Sequence, residues 1–182
     1  LTTVQMTTFG TLDVLFLLGA DEIKVPDGTF VVYIGTHGDQ GAHRADVILP
    51  GAAYTEKSGI YVNTEGRVQM AERVVFPKGE AKEDWAIIRA LSGYVGQTLP
   101  YDTLAQLRSK LMADHPTFGR IDYLAAPAAF DPSTLGAKGD LGDVAFASVV
   151  RDPYLSNPIA RASATMAELS AQRIAPVAMA AE

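Results

Sequence analysis

The residues best placed to do chemistry lie in one glycine-rich stretch, Gly35-Thr36-His37-Gly38-Asp39-Gln40-Gly41. It follows an apolar run, and its glycines would let backbone amides approach a phosphate. The spacing is not that of the dinucleotide fingerprint, and no clear helix is predicted after it. Turn geometry is therefore favoured over phosphate contact. His37, Asp39, His43 and Asp46 fall within ten residues, and imidazole with carboxylate suits zinc or iron. No two share a familiar ligand spacing on one helix face, so exposed loop groups plus a strand-edge aspartate are the favoured reading.

Three further sets could carry chemistry. Glu56 and Glu65 could in principle act as acid and base, but Lys57 and Arg67 stand one or two positions away, which favours structural ion pairs. Ser58-Gly59 lacks the glycine that a nucleophile elbow places two positions before its serine. Trp85 and Tyr94 could stack a planar ligand, but their helical spacing suits core packing better.

The elements that must position these groups begin with three apolar runs stopped by turn residues: Asp13 to Gly19, Phe30 to Gly35 and Ala45 to Gly51. Runs apolar on both faces predict buried parallel strands in an α/β sheet. The connections, about nine to eleven residues, are at or below the usual length of a helical crossover. Gly59 to Asn63 and Arg67 to Met70 flank the turn Asn63-Thr64-Glu65-Gly66 and predict a β-hairpin.

From Lys82 the period becomes helical, with Trp85, Ile88, Leu91 or Ser92, and Val95 on one face to about Gly96. Leu99-Pro100-Tyr101 breaks the chain. Asp102 or Thr103 then caps a second helix bearing Leu104, Leu107 and Leu111. Residues 1–115 thus form an α/β domain with a helical pair. Residues 116–182 form an irregular extension, rich in Ala and Pro, in which Pro158 opens one last helix through Gln172 and the residues from Ala175 onward fray.

Composition narrows the function. The 182 residues include 15 basic and 21 acidic ones, a net charge of -6, which argues against nucleic acid or an anionic membrane surface as partner. There is no cysteine, so the chain lacks the thiolates that iron-sulfur clusters ordinarily use. The longest apolar run, Val14 to Ala20, falls far short of the roughly 20 residues needed to span a bilayer, so no direct membrane insertion is expected. Position 1 is Leu with no signal-peptide pattern behind it, and the start is read as a truncation.

The stretch from Tyr33 to Gln69, with Ala45-Asp46-Val47-Ile48-Leu49-Pro50, Glu56 and Asn63-Thr64-Glu65-Gly66-Arg67-Val68-Gln69 inside it, closely resembles the large iron-sulfur subunit family of respiratory complex I, the NADH:quinone oxidoreductases. The same segments resemble the wider molybdopterin oxidoreductase superfamily, which includes formate dehydrogenases and nitrate reductases. Glu83 to Ser92, Leu99 to Leu104 and Ser163 to Ala167 are similar to later segments of the complex I branch.

The resemblance implies part of a Rossmann-like parallel sheet of that superfamily, lying in the hydrophilic arm that moves electrons from NADH toward quinone. It implies a structural and assembly role, with no catalytic residue and no metal ligand in this segment, and with iron-sulfur clusters held by an amino-terminal part outside it. The implied partners are the remainder of its own subunit and other peripheral-arm subunits. The implied place is the cytoplasmic face of the bacterial inner membrane, or alternatively the matrix side of the mitochondrial inner membrane. Isolated, such a chain is expected to behave poorly.

In molybdenum enzymes the corresponding loops contact a pterin dinucleotide. A vestigial dinucleotide site is therefore an expectation here, with Gly19, Asp21, Gly35, His37, Gly38 and Asp39 as its candidate residues. Two other functions stay open: a carboxy-terminal fragment of a molybdopterin-dependent enzyme such as a formate dehydrogenase, and a free-standing nucleotide-binding module.

Overall fold

A computed structural model describes residues 12–23, 25, 27–124, 131–136, 139, 142, 145, 150 and 152–174. The chain divides into two units, Leu1–Asp122 and Tyr123–Glu182.

In the first unit the runs rich in Val, Ile, Leu and Phe become β1 (Val14–Leu18), β2 (Phe30–Gly35) and β3 (Val47–Pro50), paired in parallel in the order β1-β2-β3. Leu17 stands beside Tyr33 in the β1–β2 register, and Tyr33 beside Ile48 in the β2–β3 register. Leu17, Val31 and Tyr33 form the core, with Leu15, Ala20, Ile23, Val25, Ala42 and Ala45 packed against it.

The crossover from β2 to β3 contains one short helix, α1 (Gln40–Arg44), little more than the single turn that so short a connection allows. Its exit is tied back to β2. Asp46 Oδ2 accepts from the Val31 N–H at 2.7 Å, and Arg44 Nη2 donates to the Thr29 carbonyl at 2.9 Å.

The expectation of three strands buried on both faces is met by β2 alone. Val14, Phe16 and Leu18 alternate along one side of β1 and are 51%, 44% and 51% exposed. The physical reason is that β1 carries apolar side chains on both sides, while the packed core covers only the side of Leu15 and Leu17.

The predicted hairpin forms as β4 (Gly59–Val62) antiparallel to β5 (Val68–Ala71). The Asn63 side-chain oxygen accepts from the Glu65 and Arg67 N–H groups, and Gly66 takes φ +84°, a left-handed conformation that favours glycine.

After the hairpin, Lys82 pairs with the end of β3: Ala52 N–H donates to its carbonyl and its own N–H donates to Pro50. Helix α2 (Asp84–Tyr94) follows, and Gly96 at φ +76° turns the chain out of it. Arg89 then holds the break, donating from Nε to the Tyr101 carbonyl at 2.8 Å and from Nη2 to Asp102 at 2.6 Å.

Helix α3 (Leu104–Asp114) begins with a full capping box. Thr103 Oγ1 accepts from Gln106 N–H, while Gln106 Oε1 accepts from Thr103 N–H. Past a 3-10 turn at Pro116–Gly119, Ile121 bridges to Val68, Asp122 N–H donates to the Val68 carbonyl at 2.7 Å, and Arg67 Nη1 donates to the Asp122 carbonyl at 3.2 Å. The first unit thus closes onto its hairpin.

In the second unit the single helix expected after Pro158 is split. Helix α4 (Pro158–Arg161) is capped by Asn157, whose Oδ1 accepts from Ala160 N–H. Ser163 then starts α5 (Ala164–Ile174), its carbonyl accepting from Ala167 N–H and its hydroxyl from Met166 N–H. A serine able to cap a new helix competes with continuation of the old one. The buried Ser170 hydroxyl donates to Asp152, and that bond, with one from Tyr154 N–H, holds the Asp152 carboxyl below the usual carboxylate range. The residues from Ala175 onward, expected to fray, lie outside the described residues.

Candidate functional site

Open parallel sheets take ligands beyond the carboxyl ends of their strands. Here that place is the mouth formed at Gly19, just past the end of β1, and at Gly35, the end of β2. Gly19 takes φ +58° and donates its N–H to the Ile34 carbonyl at 2.7 Å, so the two strand ends stay together.

Tyr33 dominates this mouth. It is 2% exposed, and its ring lies against two glycines of the stretch Gly35 to Gly41. A Cβ at Gly35 would collide with the ring and its hydroxyl. A Cβ at Gly41 would stand 3.0 Å from the ring and 2.9 Å from the Ala20 carbonyl oxygen. These two glycines therefore admit an aromatic side chain. Of the three glycines from Gly35 to Gly41, Gly38 alone, at φ +53°, has a conformational reason to be glycine.

Asp21 lies beside the Tyr33 hydroxyl and is 4% exposed. The Tyr33 pKa is pushed up to about 12, first by burial, then by the hydrogen bonding and charge of Asp21 and the charge of Asp39. Even so, neither Asp21 carboxylate oxygen makes a hydrogen bond of normal geometry, so the Tyr33–Asp21 contact is long or poorly aligned. At neutral pH Tyr33 is a neutral phenol, unsuited to act as a base.

Of the six expected site residues, Asp21, Gly35 and Asp39 are gathered around Tyr33. Gly19 holds the strand ends, and Gly38 turns the chain toward α1. His37 is exposed and paired with its neighbour, Nδ1 to Thr36 Oγ1 at 2.6 Å. Asp39 starts α1 without a side-chain capping bond. Sequence reasoning passed over Tyr33, although a signal was there. On a strand, residues two apart face the same way, so a tyrosine two positions before a glycine lies over the gap that the glycine leaves.

The other sets resolve into structural contacts. Asp46 is taken up by Val31 N–H and by Arg44, 3.7 Å away. Glu65 pairs with Arg67 at 3.4 Å, as expected. The expected local pairing of Glu56 with Lys57 is not made: Glu56 Oε2 accepts from Ala53 N–H, and Lys57 reaches across to Asp84 on α2. A carboxylate three residues from a turn amide satisfies that amide, which leaves the lysine for a distant partner. Ser58 Oγ donates to Glu72 and accepts from Arg73 N–H.

The core roles expected of Trp85 and Tyr94 are corrected. Trp85 is half-buried, its Nε1 donating to Glu83 at 2.6 Å, and Tyr94 is 92% exposed. Helical spacing marks a shared face, but it does not supply the layer that would bury it.

The family model described as molybdopterin oxidoreductase matches residues 1–94, more than half of the chain. The chain belongs to the molybdopterin oxidoreductase family. A second family model, describing the C-terminal region of an NADH-ubiquinone oxidoreductase subunit, matches residues 122–169. Similar members are the NADH-ubiquinone oxidoreductase 75 kDa subunit of Reclinomonas americana, 42% identical over 86% of this chain, and the mitochondrial 78 kDa subunit of Neurospora crassa, 43% identical over 87%. The 78 kDa subunit of Candida albicans is 45% identical over 85%. The chain spans 22–23% of the length of these relatives. The mixed α/β architecture with its three-stranded parallel sheet accords with membership in the molybdopterin oxidoreductase family.

Proposed function

We propose that this chain is a structural and assembly segment of the large iron-sulfur subunit of an NADH:quinone oxidoreductase, which passes electrons from NADH to quinone coupled to proton translocation. The observation that carries the reading is the succession of two family models in one chain, the molybdopterin oxidoreductase model followed by the NADH-ubiquinone oxidoreductase carboxy-terminal model. Its partners are then the rest of its own subunit and other subunits of the peripheral arm. Its place is the cytoplasmic face of a bacterial inner membrane, or in mitochondria the matrix side. No helix among the described residues is long and apolar enough to cross a membrane.

The superfamily also implies a pterin dinucleotide, and the packing of the glycines after β2 speaks for a segment that does not hold one. Tyr33, 2% exposed, lays its ring against Gly35 and Gly41, so these two glycines carry an aromatic side chain rather than an open approach for a phosphate. This supports a segment that keeps the fold without a cofactor of its own. Having no cysteine, it would leave iron-sulfur ligation to residues outside these 182.

The test is to tag the chain in its host, purify it in mild detergent, and identify its companions by mass spectrometry with flavin, iron and molybdenum assays. Flavin, iron and NADH:quinone reductase subunits are expected. Molybdenum and a pterin without those subunits would replace this reading with a catalytic molybdopterin enzyme. Nucleotide binding by the purified chain, measured by calorimetry, would instead favour a free-standing nucleotide-binding module.

A further inference from the structure

The side-chain carbonyl carbon of an aspartate or asparagine can be attacked by the backbone nitrogen that follows it, and a side chain on the next residue hinders that attack. The chain holds two asparagines, Asn63 and Asn157, and the structure disarms both. The Asn63 side-chain oxygen is held by the Glu65 and Arg67 N–H groups, and the next residue, Thr64, is β-branched. Asn157 is followed by Pro158, whose nitrogen carries no proton. Of the aspartates, Asp27 alone is followed by glycine.

Asp27 and Gly28 lie on a turn in the connection from β1 to β2, and both are exposed. Among the described residues the Asp27 carboxyl makes no hydrogen bond or ion pair, and the Gly28 N–H makes no hydrogen bond. Gly28 takes φ +86°, and a Cβ there would meet nothing within 4 Å, so the space beside the Asp27–Gly28 bond is open. That left-handed conformation favours glycine, so the turn itself selects the residue that leaves Asp27 open to attack.

We infer that Asp27–Gly28 is a site of spontaneous isoaspartate formation. The Gly28 nitrogen attacks the Asp27 side-chain carbon. A C–N bond forms, and the carboxyl OH leaves with the N–H proton as one water. The cyclic imide then takes back one water at either carbonyl. Opening at the side-chain carbonyl restores aspartate. Opening at the main-chain carbonyl leaves Gly28 bonded through the side chain, with one extra methylene in the backbone. Nothing is oxidised, and the atoms balance over the cycle. The lengthened connection then meets fixed points. Thr29 is 3% exposed and its carbonyl accepts from Arg44, while Phe30 N–H donates to the Asp13 carbonyl at 2.9 Å and so closes β1 onto β2. An added main-chain atom just ahead of them strains or releases these bonds.

The test ages the complete protein, in whatever assembly it is purified with, at physiological temperature. Its peptides are mapped by electron-transfer fragmentation, which distinguishes isoaspartate from aspartate. Conversion is expected at Asp27 ahead of every other aspartate and both asparagines, through a form lighter by one water. It should quicken as pH falls from neutral toward the carboxylate range, because the OH that leaves belongs to the protonated carboxyl. Hydrogen exchange at the Phe30 amide should quicken in the converted protein. Asp27→Glu should abolish conversion there, since the longer side chain would have to close a larger ring, and should keep the Phe30 exchange of fresh protein. An unconverted Asp27, faster conversion at another site, or persistence of the lighter form in Asp27→Glu would each overturn the assignment. Unchanged exchange at Phe30 in converted protein would overturn its effect on β2.

Discussion

Tyr33 lies over Gly35, filling the space where the glycine has no side chain. Gly35→Ala must therefore displace the ring or bend the end of β2. Overpacking of this kind costs about 1–3 kcal/mol, and chemical denaturation should show a loss of that order. Adding Tyr33→Val removes the obstacle, so the double variant should lose less than the sum of the two single changes. Strict additivity would mean that the two residues do not compete for one space.

The same tyrosine carries a pH signature. Its folded pKa, about 12, is above the ordinary value of 10.0, so the folded state keeps a proton that the unfolded chain releases. The resulting stability is fully present below pH 10 and is lost as pH rises from 10 toward 12. Tyr33→Phe should flatten that part of the pH profile, and tyrosinate absorbance should show one late-titrating phenol missing from the variant. Identical profiles between pH 10 and 12 would contradict the burial of this hydroxyl beside Asp21.

Lys57 and Asp84 join the hairpin to α2, with side chains 25% and 32% exposed. At this exposure the pair contributes about 1 kcal/mol. Lys57→Met alone should cost more than Lys57→Met with Asp84→Leu, because the single change leaves a half-buried carboxylate without its cation. A double-mutant cycle measures the coupling, and a coupling near zero would show that the contact adds no stability.

The capping box at Thr103 and Gln106 sets where α3 begins. Thr103→Ala should cost about 1 kcal/mol, and hydrogen exchange should quicken at the amides of the first turn before it changes at Leu111. Unchanged protection in that turn would mean that the helix start is held by packing alone.

Much of this architecture was readable because local chemistry decided it. Phe30–Gly35 stands at its predicted bounds, since a β-branched and aromatic run stopped by glycine leaves little choice. The Asn63 to Gly66 turn and the Thr103 cap follow from side chains that bond their own backbone. What escaped notice was decided at a distance. Lys57 finds its carboxylate 27 residues away, where no spacing rule operates. Tyr94 repeats with the helical period and still meets solvent, because period reports a face and not what covers it. At the candidate site the glycines were conspicuous in the sequence, but the ring that explains two of them was not. The decisive fact was which side of β2 Tyr33 and Gly35 share.

The bare side of β1, with Val14, Phe16 and Leu18 about half exposed, bears on how much of this protein a cell keeps. Exposed apolar strand residues are what chaperones hold and proteases clear, so on the assembly reading proposed above copies left without a companion to cover this side should be short-lived. Abundance would then follow that of the scarcest companion, with stoichiometry enforced by turnover rather than by matched synthesis. A pulse-chase in cells lacking that companion should show rapid decay. A half-life equal to that in normal cells would mean that this surface is tolerated uncovered.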